Sequence, residues 1–450
     1  MMASHVLDYP RVYALDIVVP AAETEWSEPL VVDVNGSRSG LNACLLKTGD
    51  RRLEQTVLSR LAEAGAGKIY SPILRGIPKL RSELSLAEML GTITQPIGIN
   101  RVNEAYMPIG DSLDYGNDRR TREFARDRGI EFETVIFDWS PAQRTFVSDP
   151  GSIPLSNCFQ DLAVVWPYSW DWRAVPFPPH ARLVNPTCLQ LLASNKLYAA
   201  AVAGGGPPLD PPIMPPTSAF GFIGRKGKFR DWIASLDRGP IDQWIVKPAQ
   251  GRRGYGVVLL KDENLLDYAQ LAGLAADDLH LRQGGKILAA ASLLGDLPEA
   301  LTILQPFIEP SVRRNPHSGE LHSSVQRVTV ISDANGVEIL DVTTILMRQA
   351  RGNRDADDPR ASHILTPDTS AVCIEPRPKE YQSVVNAARS CIQCLESYAR
   401  NTPLDHRRAV MWEALECARF AEQTFDYSCL NEISTAWRDG VPFLDLTKQA

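Results

Sequence analysis

The chain has 450 residues, of which 44% are hydrophobic and 22% charged, enough apolar material for two or three domains and unlike a disordered or fibrous composition. With 47 Lys and Arg against 54 Asp and Glu the formal charge is −7, the wrong sign for a protein that binds nucleic acid by neutralising phosphates. The most apolar stretch, Ile287 to Leu294, is too short to span a bilayer, and Asp8, Arg11 and Asp16 interrupt any signal-peptide core, so a cytoplasmic chain with no membrane attachment is expected.

Residues 1 to about 184 read as mixed α/β with many Pro and Trp interruptions. Leu30-Val31-Val32 and Leu162-Ala163-Val164-Val165 are short buried-strand patterns. Arg52 to Ala64 is helical, with Leu53, Val57, Leu58 and Leu61 on one face. Asp33-Val34-Asn35-Gly36-Ser37-Arg38-Ser39-Gly40 follows a strand and is rich in turn formers; it reads either as an ordinary loop or as a loop presenting N–H groups to an anion. Asn185-Pro186 predicts a helix start, a capping side chain followed by Pro in the first turn, with the helix running through Leu189, Leu192, Lys196 and Ala199 to Gly204-Gly205-Gly206. The Pro-rich run Pro207 to Pro216 is a stiff connector.

A strand follows at Ile241 to Pro248, then the loop Ala249-Gln250-Gly251-Arg252-Arg253-Gly254-Tyr255-Gly256, then a strand at Val257 to Leu260. Leu301 to Glu309 is a further strand. Val325 to Ile331 and Val337 to Met347 form a hairpin through Asn335-Gly336. Residues 350–370 read as a polar loop, 380–399 and 409–425 as amphipathic helices, and Leu430 to Trp437 and Val441 to Thr447 as a closing pair around Asp439-Gly440. The eight cysteines are scattered, and the single C-x-x-C, Cys391 to Cys394, falls in a helical pattern with Val384, Ala388 and Leu395, where a small core residue is the better reading than a metal or redox site.

Familiar nucleotide and hydrolase motifs are missing. No G-x-x-x-x-G-K-[ST] occurs, and Gly251, Gly254 and Gly256 lie between two strands with the reverse of the dinucleotide-binding spacing. H-E-x-x-H and G-x-S-x-G are also absent. What remains is a different phosphate device. Ile241, Gln243, Ile245 and Lys247 share one strand face, and a three-glycine loop then folds back, so that backbone N–H groups cover a polyphosphate while Lys247 supplies charge. Gln305-Pro306-Phe307-Ile308-Glu309 suits a slot for a purine edge with a carboxylate for ribose hydroxyls.

Taken in order, Lys196 after Asn185-Pro186, Val246-Lys247-Pro248 with its glycines, Gln305 to Glu309 and Arg327 on a strand resemble the ATP-grasp superfamily over about residues 183–347, and more loosely over 425–447. The resemblance implies an N-terminal α/β domain over 1–180 and a two-lobed ATP-grasp domain over 181–450, its lobes meeting near residue 300. It implies ATP and Mg²⁺ as cofactors. Lys196 and Lys247 would hold phosphates, Gly251, Gly254 and Gly256 would close over them, Gln305, Phe307 and Ile308 would flank adenine, and Glu309 would bind ribose. Arg327 and Arg348 would clamp the transferred phosphoryl group or acyl phosphate, as Arg does bidentately; a surface ion pair is the competing reading for Arg327. The family ends with an acidic residue on one strand and Glu-x-Asn on the next, holding Mg²⁺. Near residue 450 the counterpart is Asn431-Glu432 and then Asp445-Leu446-Thr447, with Glu432, or Asn431 in its place, and Asp445 as metal ligands and with Asp445 and Thr447 on one strand face.

The implied activity is carboxylate–amine ligation through an acyl phosphate, releasing ADP and phosphate, on a small acid and an amine such as an amino acid or peptide, in the manner of natural-product ligases. A homodimer is compatible with it. The alternatives are a small-molecule kinase on the same scaffold and a nucleotide-binding protein without chemistry. Arg351, Arg354 and His363 on the polar loop, and Arg38, Tyr168, Trp170 and Trp172, are candidate substrate contacts, with solvated loop and buried core as their plainer readings.

Overall fold

A computed structural model describes residues 9–21, 26–36, 47, 52–75, 119–140, 145–148, 164–165, 182–185, 189, 193, 196–204, 212–221, 229–236, 238–248, 258–267, 269, 301–347, 350 and 372–401. The chain runs β1 (Arg11–Val18), β2 (Leu30–Asn35), α1 (Arg52–Glu63), β3 (Lys68–Arg75), α2 (Arg119–Arg126), β4 (Glu131–Ser140), β5 (Thr145–Ser148), β6 (Val164–Val165) and β7 (Arg182–Leu183). It continues α3 (Lys196–Gly204), β8 (Ser218–Gly221), α4 (Phe229–Ser235), β9 (Gln243–Pro248), β10 (Val258–Lys261) and β11 (Leu301–Pro306). The last described elements are β12 (Val312–Arg314), β13 (Leu321–Asp333), β14 (Gly336–Leu346), β15 (Val372–Ile374) and α5 (Pro378–Asn401).

Among the described residues three sheets form a mixed α/β architecture. The largest has the order β15-β14-β13-β1-β2, with β12 added to β13; the second is β10-β9-β11-β8; the third is β5-β4-β3-β6-β7. In the third, β3 pairs parallel with both β4 and β6, and β6 with β7, as expected of strands linked by helical crossovers. The hairpin β13–β14 has the two-residue connection Ala334-Asn335, and Gly336 supplies the positive φ of 117° that follows it. Helix α1 buries Leu53, Val57, Leu58 and Leu61, the four residues its periodicity singled out.

Two features depart from the sequence reading. β1 and β2 lie in one sheet with β13 and β14, although a division near residue 180 assigns them to a separate unit. Pairing between strands some 310 residues apart leaves no local mark in a sequence. Second, Asp33-Val34-Asn35 is strand rather than loop. Period-two alternation prevails over turn-forming composition there, because Val34 is buried against Leu15.

The alternation divides the large sheet sharply. One face carries Tyr13, Leu15, Ile17, Val34, Val328, Val330 and Val342, covered by Val384, Val385, Ala388, Cys391, Ile392 and Leu395 of α5 and by Ala199, Val202 and Ala203 of α3. Cys391 is thus a core residue as expected, its thiol pushed up by burial. Beneath the same helix, Arg11 and Glu396 form a buried pair. Arg11 donates to both Glu396 oxygens at 2.7 and 2.9 Å, and the Ser332 hydroxyl donates to Glu396 Oε2 at 2.8 Å. The opposite face is apolar at its two ends. Val12 and Ile331 pack with α1, while Val18, Leu30 and Val325 pack with Ile308 and Met347. Between those ends it is polar.

Candidate functional site

That polar band follows from strand register. Asp33 pairs with Asp16, Asp16 with Arg327, and Arg327 with Thr343, so four polar residues cross β2, β1, β13 and β14 in one row. The next row is Asn35, Ala14, Thr329 and Asp341. Asp16, Arg327, Thr329, Thr343 and Asp341 are all buried. Two carboxylates set directly opposite each other on paired strands repel, so Asp16 and Asp33 need cations to be tolerated.

Those cations converge from three elements. Arg327 grips Asp16 bidentately, Nε to Oδ1 at 2.8 Å and Nη2 to Oδ2 at 2.7 Å. Burial acts against the guanidinium charge, but Asp16 and then Asp33 outweigh it and raise the Arg327 pKa. Lys196 of α3 brings Nζ to 3.4 Å from Asp33 Oδ1. Lys247 reaches down from the second sheet. A register shift between Asp16 and Ile17 leaves Val32 as an extra residue in β2, and the Lys247 ammonium donates to its carbonyl at 3.5 Å. This is the sole hydrogen bond of the Lys247 side chain among the described residues. Burial first, and Lys196 second, push its pKa down to about 7 against the pull of Asp33 and Asp16. The second sheet therefore faces the polar band through Lys247.

The 305–309 segment forms the bridge between the two sheets. Gln305 is buried and its amide donates to the Thr217 hydroxyl at 2.7 Å. Phe307 N–H donates to the Gln243 carbonyl at 2.9 Å, keeping the chain on β9 one residue beyond the end of β11. Ile308 then packs on Val18 and Leu30 of the large sheet, and the Glu309 carbonyl accepts from Ala21 N–H at 2.8 Å. Lys247 thus meets β2 at Val32, and Ile308 meets the neighbouring Leu30 of β2 and Val18 of β1.

Of the residues the resemblance points to, Lys196, Lys247 and Arg327 gather around Asp16 and Asp33, and Gln305, Phe307, Ile308 and Glu309 form the connecting segment. Arg327 is an ion-pair residue, buried rather than at the surface. Gly251, Gly254, Gly256, Arg348, Glu432 and Asp445 lie outside the described residues, as do Arg38, Tyr168, Trp170, Trp172, Arg351, Arg354 and His363.

Sequence reasoning missed Asp16, Asp33 and Asn35. An acid on one strand and Asp33-x-Asn35 on the next have the arrangement sought at the end of the chain, with Asp in place of Glu. The signal was present, since Asp16 interrupts an otherwise apolar strand and Asp33-x-Asn35 has the right spacing. Position in the chain concealed it. Among the described residues no three His, Cys, Asp or Glu side chains cluster as a metal cage. Mg²⁺ asks for less: one or two carboxylates, further oxygens and retained waters beside phosphate. Asp33 Oδ2 and the Asn35 side-chain amide have no protein partner among the described residues, so these hard-oxygen donors fit such an ion.

No family model matches the chain. No curated protein matches it. Among solved structures it is similar to D-cycloserine synthetase DcsG, at 16% identity and TM-score 0.36 over 75% of this chain and 82% of that one. It is also similar to D-alanyl-alanine synthetase A from Vibrio cholerae O1 biovar eltor str. N16961, at 10% identity and TM-score 0.36 over 74% and 81%. A third likeness is to a glutathione synthetase-like effector, GSS30, from Globodera pallida, at 10% identity and TM-score 0.34 over 75% and 73%.

Proposed function

We propose that the chain is an ATP-dependent carboxylate–amine ligase whose nucleotide phosphates lie between the Lys247 face of the second sheet and the polar band of the first. The observation that carries this reading is the row Asp33–Asp16–Arg327 with Lys196 and Lys247 converging on it. Two carboxylates contribute −2, Lys196 and Arg327 contribute +2, and Lys247 adds up to one more charge. That set complements a polyphosphate accompanied by a divalent cation.

In this reading Lys196 and Lys247 bind phosphate oxygens, with the glycines of 251–256 closing over them and residues 305–309 beside the nucleoside. Asp16, Asp33 and Asn35 hold Mg²⁺, which neutralises phosphate charge when bound. Glu432 and Asp445 are not needed for that role. β1 and β2 belong with the ATP-grasp unit although they precede the α/β unit built on the third sheet.

The chemistry is a phosphoryl transfer followed by displacement. A substrate carboxylate oxygen attacks the γ-phosphorus, the bond from that phosphorus to the β–γ bridging oxygen breaks, and ADP departs. Arg327 neutralises charge on the transferring group. An amine then attacks the acyl carbon, phosphate leaves, and the amine's proton passes to solvent. Positioning and charge neutralisation carry both steps, so a nucleophilic side chain is not required.

The test is a screen of small acids against amines for ADP and phosphate release, with hydroxylamine as a trap. Amine-dependent release and hydroxamate formation support the ligase. Amine-independent formation of a stable phosphorylated product would make the protein a kinase, and nucleotide binding with no turnover in the whole screen would overturn the reading.

A further inference from the structure

Asn185 was expected at a helix start, and its side chain also reaches across to β1 and beyond β2. A capping residue has extended backbone, whereas Asn185 has φ 64°, and it is the one non-glycine residue with positive φ among those described. It is fully buried. Helix is described at Leu189, four residues on, at Ala193, and continuously from Lys196.

Its side chain spans the fork where β1 and β2 separate. Oδ1 accepts from Val12 N–H at 2.6 Å, while Nδ2 donates to the Val12 carbonyl at 2.5 Å and to the Gly36 carbonyl at 3.0 Å. β2 ends as a strand at Asn35, which pairs with Ala14. Two residues further along, Val12 has no β2 partner among the described residues, and the Asn185 amide offers it both a donor and an acceptor. Its second N–H ties down Gly36, the residue directly after Asn35. Because Asn185 follows β7, this amide also joins the edge of the third sheet to the two strands that carry Asp16, Asp33 and Asn35.

Only Asn meets every requirement of the position. A left-handed backbone excludes most side chains and favours Gly or Asn. Gly supplies none of the three bonds, and Asp keeps the acceptor but sets a carboxylate against two carbonyls. Backbone strain held by such a network marks positions where geometry matters.

We infer that Asn185 is a positioning residue for the site: it fixes the splay of β1 and β2 so that Asn35 and Asp33 stay in register with Asp16. It touches neither nucleotide nor substrate, and it acts on metal-dependent binding through these strands. This inference rests on the ligase reading only in taking Asp16, Asp33 and Asn35 as the Mg²⁺ ligands.

The test compares wild type with Asn185→Asp and Asn185→Gly, each checked for folding by circular dichroism. Both variants are expected to need at least tenfold more Mg²⁺ for half-maximal ADP binding, while ADP binding in EDTA stays within twofold of wild type. A general loss of packing weakens both alike. A folded variant with the wild-type Mg²⁺ requirement, or with equal losses in both conditions, overturns the inference. A measurement on wild type stands alone if neither variant folds. By reciprocal linkage, Mg-ADP must slow hydrogen exchange of the Val12 amide, with at least tenfold slowing expected and no change refuting it. If wild type binds no nucleotide in Mg²⁺ or in EDTA, the functional reading fails first, and separately.

Discussion

Lys247 gives the sharpest quantitative prediction. The residue is 7% exposed, and burial together with a second lysine nearby holds its pKa at about 7, while its ammonium makes a single 3.5 Å hydrogen bond among the described residues. An unfolded chain restores the ordinary value near 10.5. Between those two pH values the unfolded state binds a proton that the folded state lacks, so this group makes stability rise with pH across that window. Below about pH 7 both states are protonated and its cost to the fold is at its full, constant value.

Bound phosphates reverse the preference by favouring the ammonium. ADP binding above pH 7 must therefore take up close to one proton, and affinity must fall by up to tenfold per pH unit, about 1.4 kcal/mol, until the pKa of the complex is passed. Isothermal titration at pH 7.5, 8.5 and 9.5, in buffers of differing ionisation enthalpy, measures both quantities. The phosphates of ADP, with a second pKa of about 6, are fully ionised throughout that range. In Lys247→Arg the cation stays charged, so proton uptake should vanish and the pH profile flatten. Affinity that is flat from pH 7.5 to 9.5 in wild type, or an unchanged slope in Lys247→Arg, would refute the argument that a desolvated Lys247 meets the phosphates.

Other substitutions separate the roles of the two carboxylates and of the core pair. Asp16→Asn leaves a buried Arg327 without its counter-charge and should lower stability by about 3–5 kcal/mol, read from urea unfolding without nucleotide. Asp33→Asn is different, because its pair with Lys196 is partly exposed and worth no more than about 1 kcal/mol. It should fold nearly as wild type while raising the Mg²⁺ needed for ADP binding at least tenfold, and an unchanged requirement would remove Asp33 from the metal site. Glu396→Gln should cost about 3–5 kcal/mol by stranding Arg11, whereas Arg11→Met with Glu396→Leu should recover most of that loss. A double variant as unstable as the single one would show that the network does more than balance charge.

Much of the local structure was legible because it depends on short-range pattern. The α1 face, the β13–β14 hairpin, the long helix α5 and the placing of Lys247 at the end of β9 all follow from periodicity and turn chemistry. The phosphate-binding candidates Lys196 and Lys247 were legible for the same reason, since each sits in a short recognisable run. What failed involved distance along the chain. Asp16 and Arg327 meet across 311 positions, and no alternation in β1 announces β13 as its partner. Chain order also drew the search for metal ligands toward Glu432 and Asp445, which lie outside the described residues, and away from the acid and the Asp-x-Asn near the N-terminus. At Asn185 a residue favoured in helix caps is used for the two other properties of its amide and backbone, paired donor and acceptor groups and tolerance of positive φ.

The central claim is that one site is built where β1 and β2 face Lys247. A crystal structure of the protein with ADP and Mn²⁺, using the anomalous signal of manganese to locate the metal, tests it most directly. The account predicts manganese bound by Asp16 and Asp33, with ADP phosphates within hydrogen-bonding reach of Lys196 and Lys247. Manganese and nucleotide on any other surface, with Asp16 still held only by Arg327, would contradict it.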